Sequence, residues 1–264
     1  MKKLFLILIV VLWSVSAFSS DKLIDCDFEE GTSWSYIDYF DQWETYLADE
    51  WTITTLGPHS GTYCAASNDP NPGGIIECSG FHFTTSSWMT WGSEIFIRFW
   101  MKHPTDFEPE ATDATRGCNH FRIGTGVSGD WTSGIEYIAR GYNGGTFLHF
   151  YYDGRSAYGT PPLYVFDNQW HEYAIYLKLP SNASTADGLW RAWRDQTSYT
   201  AETALYTRAD LAQDLVWSHF YFGNYYKGEC SGNWQFWVDD IEVWNGLPDG
   251  TPDTTHTIQN CTII

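Results

Sequence analysis

From Asp25 onward, apolar and polar residues alternate in short runs of period two, punctuated at fairly even intervals by Gly, Pro, Asn, Asp and Ser. That period belongs to a strand with one face on a core and the other turned away from it. The clearest run is Ile95 to Lys102, where Ile95, Ile97, Phe99 and Met101 share one face and Phe96, Arg98, Trp100 and Lys102 the other. Further runs are Asn119 to Ile123, Gly134 to Arg140, Phe147 to Tyr152, His171 to Leu179, Leu189 to Arg194, His219 to Phe222 and Gln235 to Trp244. Eight or more strands with little helix predict an all-β, antiparallel two-sheet sandwich. Ala201 to Asp214 is the one stretch with a short helix as an option, its alternative being a surface loop. No repeat with a period of about 20 to 50 residues is present, so residues 20–247 read as one domain. After Trp244 the composition turns to Gly, Pro and Thr, and residues 248–264 read as a surface tail.

The first nineteen residues follow a different pattern. Lys2 and Lys3 precede an unbroken apolar run from Leu4 to Trp13, and small residues follow at Ala17, Ser19 and Ser20. This is the layout of a secretory signal peptide, here residues 1–19. The run is about half of the roughly 20 residues needed to cross a bilayer. A secreted or periplasmic protein with no membrane span in its mature form is expected. Without the two leader lysines, 12 basic residues face 33 acidic ones, a net of −21. Such a charge repels polyphosphate and argues against a nucleic-acid partner.

All six cysteines follow the leader. An even count in an exported chain favours three disulfides, although about 15 connectivities are open. Cys64 and Cys78 flank the turn-rich Asn68–Gly74 stretch between two candidate strands, so a hairpin bridge is the preferred pairing. Its loop length corresponds to about 3 kcal/mol of chain entropy. Cys26 with Cys261 would tie the termini, leaving Cys118 with Cys230. No C-x-x-C pair occurs, which disfavours a zinc site.

Three segments resemble the concanavalin A-like jelly-roll superfamily, which includes legume-type lectins, laminin-G-like domains, glucanases and polysaccharide lyases. They are Asp27-Phe28-Glu29-Glu30-Gly31 with His59-Ser60-Gly61-Thr62-Tyr63, then Trp170 to Leu179 leading through Asp187-Gly188 to Asp195, and finally Trp237 to Trp244. Arg194 stands where an apolar residue is usual, and Gln196 replaces a glycine. The resemblance covers nearly the whole mature chain and implies the fold more than any activity. Cys26-Asp27-Phe28-Glu29 and Asp239-Asp240-Ile241 also resemble the ends of MAM adhesion domains, which implies an adhesion or structural module as a further option.

Sugar recognition needs apolar rings beside planar polar groups. Arg98, Trp100, Lys102, Tyr151, Arg191 and Trp193 are candidate carbohydrate-binding residues, expected with Arg122 and His149 on one sheet face; half-buried structural aromatics are the alternative. A secreted carbohydrate-binding protein, with a polysaccharide or glycan as partner, is the leading expectation. The E-x-D carboxylate strand of retaining glucanases is missing. An extracellular polysaccharide lyase acting on uronic acids is the second reading. It needs cations against the carboxylate and a Tyr or His for the C5 proton, roles open to His120, Arg122, His149 and Tyr221. The alginate-lyase patterns Q-(I/V)-H and Y-x-K-x-G-x-Y-x-Q are not met: Gln169-Trp170-His171 carries tryptophan at its centre, and Tyr221 to Gly228 only echoes the second. Glu29 and Asp240 fall on first and last strands that pair in many jelly rolls, and one structural Ca2+ there would draw on their oxygens. Asn182-Ala183-Ser184 and Asn260-Cys261-Thr262 are glycosylation sequons.

Overall fold

The computed structural model describes residues 20–30, 41–42, 51–67, 78–84, 89–106, 118–124, 134–140, 145–150, 156–157, 165–212, 216, 219–225 and 235–248. These residues contain no helix and fifteen strands. In chain order they are β1 (Lys22–Cys26), β2 (Asp41–Gln42), β3 (Trp51–Thr54), β4 (Cys64–Ser67), β5 (Cys78–Thr84), β6 (Glu94–Lys102), β7 (Cys118–Gly124) and β8 (Gly134–Arg140). The rest are β9 (Gly145–Phe150), β10 (Ser156–Ala157), β11 (Trp170–Lys178), β12 (Gly188–Arg194), β13 (Tyr206–Leu211), β14 (His219–Tyr225) and β15 (Trp237–Trp244).

Two antiparallel sheets result. The eight-stranded one runs β13-β12-β11-β6-β15-β4-β3 with β1 also paired to β15, and the seven-stranded one runs β10-β9-β8-β7-β14-β5-β2. First and last strands pair, Cys26 facing Ile241. The sheets meet through a core of alternate residues: Ile95, Ile97, Phe99 and Met101 of β6, Phe121 and Ile123 of β7, and Phe220 and Phe222 of β14 are all buried. Phe99 stacks on Phe121 at 5.7 Å and meets Phe222 edge-on at 4.8 Å, which joins the two sheets directly. Aromatic pairs at such spacings add to the area they bury.

Two expectations are corrected here. Ala201 to Asp214 contains the edge strand β13, held by pairing with β12, so long-range hydrogen bonding overrides a short stretch of helix propensity. Cys64 begins β4 in one sheet and Cys78 begins β5 in the other, so the turn-rich segment between them joins the sheets and does not close a hairpin. Cys64 and Cys26 are both buried free thiols, so neither the Cys64–Cys78 nor the Cys26–Cys261 bridge is formed. Cys230 and Cys261, the leader, Tyr151 and residues 249–264 lie outside the described residues.

Candidate functional site

The expected single polar and aromatic face is divided between two sheets. Arg98, Trp100 and Lys102 lie on β6 and Arg191 and Trp193 on β12, all in the eight-stranded sheet, whereas Arg122, His149 and Tyr221 lie on β7, β9 and β14 of the other. Because Phe99, Ala192 and Ile123 all belong to the interior, the two sets occupy faces turned away from each other.

On the eight-stranded sheet the outer face is largely filled. Trp193 is fully buried beside Phe96 and Tyr199 in a second, smaller apolar cluster that also includes Trp244 and Leu247. Arg98, 8% exposed, places Nη2 2.5 Å and Nε 2.9 Å from Glu242 Oε2, with Nη1 3.7 Å from Glu172. Lys22 donates to the other Glu242 oxygen at 2.9 Å, and the Tyr199 hydroxyl donates to Glu172 at 2.5 Å. Burial pushes the Glu172 carboxyl above its ordinary range, with the Tyr199 hydrogen bond and Arg98 acting against that. Trp100 stacks on His59 at 3.7 Å, and the Lys102 ammonium lies over the rings of Trp170 and Trp237. These side chains already serve one another, as buried cations and paired rings must.

The junction of β1 and β15 collects carboxylates. Asp240 adopts a left-handed backbone (φ 47) where β15 slips register against β6. Both carboxylates of the Asp239-Asp240 pair hold the turn 59–63: Asp239 accepts from His59 N at 2.9 Å, and Asp240 accepts from Ser60 Oγ at 2.9 Å and pairs with His59 Nδ1 at 2.5 Å. Glu29 accepts from Thr62 N and Tyr63 N at 2.6 and 2.7 Å. Gly61 is required there, since its φ is +58 and a Cβ would collide with the Glu29 carboxylate. Glu29 and Asp240, the expected metal ligands, therefore serve the same turn; among the described residues no group of three His, Cys, Asp or Glu is placed to hold a metal. Burial, then Asp240, pushes Asp239 up to about 8, and burial raises Asp27 and Glu30 as well.

On the seven-stranded sheet, backbone register assembles a row. Tyr221 faces Arg122 on one side and His82 on the other; Arg122 faces Glu136, Glu136 faces His149, and His149 faces Ser156. At the far end Asp41 faces His82. Directly opposed residues share a face, and this one alternates with the buried Phe121, Ile123, Phe220 and Phe222. The row thus occupies the side of the sheet away from the core. His120 falls at the irregularity between Asn119 and Phe121, two positions from Arg122. Of the four residues assigned to lyase chemistry, Arg122, His149 and Tyr221 share one row and His120 lies beside it. Sequence reasoning missed His82, Asp41 and Glu136. Phe81-His82-Phe83 carried a usable signal, a polar residue between two aromatics in a strand, but the partner of that strand was not readable.

No protein-family model matches the sequence, and no curated protein matches it. Solved structures do resemble it. An endo-β-1,4-glucuronan lyase from the fungus Trichoderma reesei superposes with a TM-score of 0.54 at 17% identity, covering 88% of this chain and 99% of that one. An alginate lyase in complex with an alginate trisaccharide gives 0.53 at 11% identity, covering 85% and 97%. The receptor-binding domain of a botulinum neurotoxin C/D mosaic serotype gives 0.50 at 9%, covering 85% of this chain and 48% of that one. Such identities speak to the fold, and the fold carries unlike functions. With its two antiparallel sheets and these neighbours, the chain has the concanavalin A-like jelly-roll fold.

Proposed function

We propose that this chain is an exported protein acting on uronic-acid-containing polysaccharide by β-elimination, on the outer face of the seven-stranded sheet. The observation that carries this is the register of β14, which sets Tyr221 directly between Arg122 and His82 on a face turned away from the core. Lyase chemistry needs a cation at the C6 carboxylate to stabilise the charge that develops when the C5 proton leaves, and a Tyr or His to handle protons at C5 and O4. Arg122 takes the first role, Tyr221 the second, and His149, two strands further along the row, holds a neighbouring sugar. The two lyases with the same fold support the reading as analogues.

A carbohydrate-binding role without catalysis is the second reading. Asp41 and Glu136 offset the cations in the row, so the face suits a neutral glycan as well. One experiment separates the two. Purified protein is incubated with glucuronan, alginate and neutral glucans, while unsaturated product is followed by ultraviolet absorbance and binding by calorimetry. Product that disappears in Tyr221→Phe and Arg122→Ala, with polysaccharide binding still measurable, supports the lyase. Binding with no product from any uronate polymer refutes it in favour of the binder.

A structural calcium ion at the β1–β15 junction is part of the proposal. Glu29 and Asp240 carry oxygen donors of the kind a hard cation takes and hold the same 59–63 turn, and the Asp27, Glu30 and Asp239 carboxyls, raised by burial first and by neighbouring carboxylates after it, would repel one another less beside a cation. Glu29 and Asp240 would hold it.

A further inference from the structure

One end of the eight-stranded sheet carries a row that register alone assembles. Trp170 of β11 faces Lys102 of β6, and Lys102 faces Trp237 of β15. Directly opposed residues share a face, so two indoles flank one ammonium on the side away from the core. The Lys102 ammonium lies 5.1 Å from the Trp170 ring centroid and 4.6 Å from that of Trp237. It donates to the Gly57 carbonyl at 3.3 Å, and Trp170 Nε1 donates to the same carbonyl at 3.1 Å. Gly57 has a left-handed backbone (φ 68), which glycine adopts without steric cost. Beside it in the chain stands Leu56, a large apolar side chain left 71% exposed.

Lys102 differs from its neighbours in what it lacks. Arg98 on the same strand sits between Glu242 and Glu172, Lys22 has Glu242 and Asp25, and Lys178 has Glu94. Among the described residues no carboxylate pairs with Lys102, in a chain whose net charge is −19. The indoles attract the ammonium without neutralising it, and it has N–H donors beyond the one given to Gly57. Burial lowers the Lys102 pKa, a cost that an anion beside it would offset. A half-buried cation walled by rings, with an exposed leucine at its rim, matches a ligand that is anionic at one point and apolar beside it. A uronic acid residue has both parts: its C6 carboxylate accepts from the ammonium, and a C–H face of its pyranose ring rests on Leu56. A neutral sugar lacks the first part and a free carboxylate ion the second.

We propose that Lys102, Trp170, Trp237 and Leu56 form a second, non-catalytic binding site for a uronate residue, on the face opposite the elimination row. The choice of uronate rests on the polyuronate reading. Sites on opposite faces cannot grip one short oligosaccharide, so they hold separate segments of a polymer, or separate chains. A polymer held by one site is thereby presented to the other at raised effective concentration.

The test uses the full-length protein with Tyr221→Phe, so that the ligand is not consumed. The indole N–H resonances are followed by NMR, those of Trp170 and Trp237 being the ones absent from Trp170→Phe and Trp237→Phe. Glucuronan oligosaccharides should shift both, while neutral β-glucan oligosaccharides of the same length and acetate at equal carboxylate concentration should not. The affinity read from these shifts should fall about tenfold or more in Lys102→Met, which keeps the apolar stem between the rings, and should be largely kept in Lys102→Arg. Absent shifts, equal shifts with the neutral oligosaccharide or with acetate, or an unchanged affinity in Lys102→Met each overturn the proposal. Failure of the function reading is seen separately. If the wild type releases no product from any uronate polymer, the lyase reading falls while the indole shifts still decide this site. If product forms and the shifts are absent, this site alone falls.

Discussion

Arg98 is expected to hold the fold and not the ligand. Its guanidinium is buried between Glu242 and Glu172, with Lys22 and Tyr199 completing the set. In Arg98→Ala, Glu242 keeps Lys22 and Glu172 keeps Tyr199, but both carboxylates lose the cation between them in a buried setting. Breaking such a pair from one side costs about 3–5 kcal/mol. For a domain of this size, each kcal/mol lowers Tm by about 2–4 °C, so a fall of roughly 6–20 °C is expected. Urea unfolding of the wild type, Arg98→Ala, Glu242→Gln and the double variant completes a cycle. The double variant should be less destabilised than the sum of the singles, because removing both charges leaves neither stranded. Folded Arg98→Ala at low temperature should keep the polysaccharide affinity of the wild type. A stability loss under about 1 kcal/mol, the range of an exposed pair, refutes this account of the network. Lost glycan affinity at unchanged stability would return Arg98 to the binding role that its sequence position suggested.

Three further outcomes are expected. Asp239, Asp27 and Glu30 have folded-state pKa values raised by burial, so their contribution is fully present below the unfolded carboxylate range and is lost as pH climbs toward the value of about 8 at Asp239. In chelator, Tm should fall between pH 5 and pH 8 by an amount on the order of a few kcal/mol in stability, and a rise over that interval would contradict the burial of Asp239. Millimolar calcium should flatten this slope and raise Tm at pH 8, stabilising by about 2.7 kcal/mol at a hundred times its dissociation constant; identical melting in chelator and calcium removes the ion from the proposal. Burial pushes the Cys64 thiol up to about 12 and raises that of Cys26, so neither should react with a thiol reagent until the protein unfolds, and rapid labelling of either in the native state would show the site to be open.

The sequence by itself determined the class of the fold and the inner and outer residues of each long strand. Period-two alternation is a local property, and it placed Ile95, Ile97, Phe99 and Met101 together on the face that the structure buries. Strand ends moved by only a residue or so where the pattern was strong, as at β8 and β11. Which sheet each strand joins is not local. Parity showed that Arg98 and Arg122 both oppose core residues, but only pairing of β6 with β11 and β15, and of β7 with β14 and β8, sent them to opposite outer faces. The same cause undid the Cys64–Cys78 bridge, since a turn-rich segment reads alike whether it closes a hairpin or crosses between sheets. Register, too, belongs to the tertiary structure alone: the line from Asp41 through His82 and Tyr221 to Arg122 exists because strands distant in the chain pair at one height.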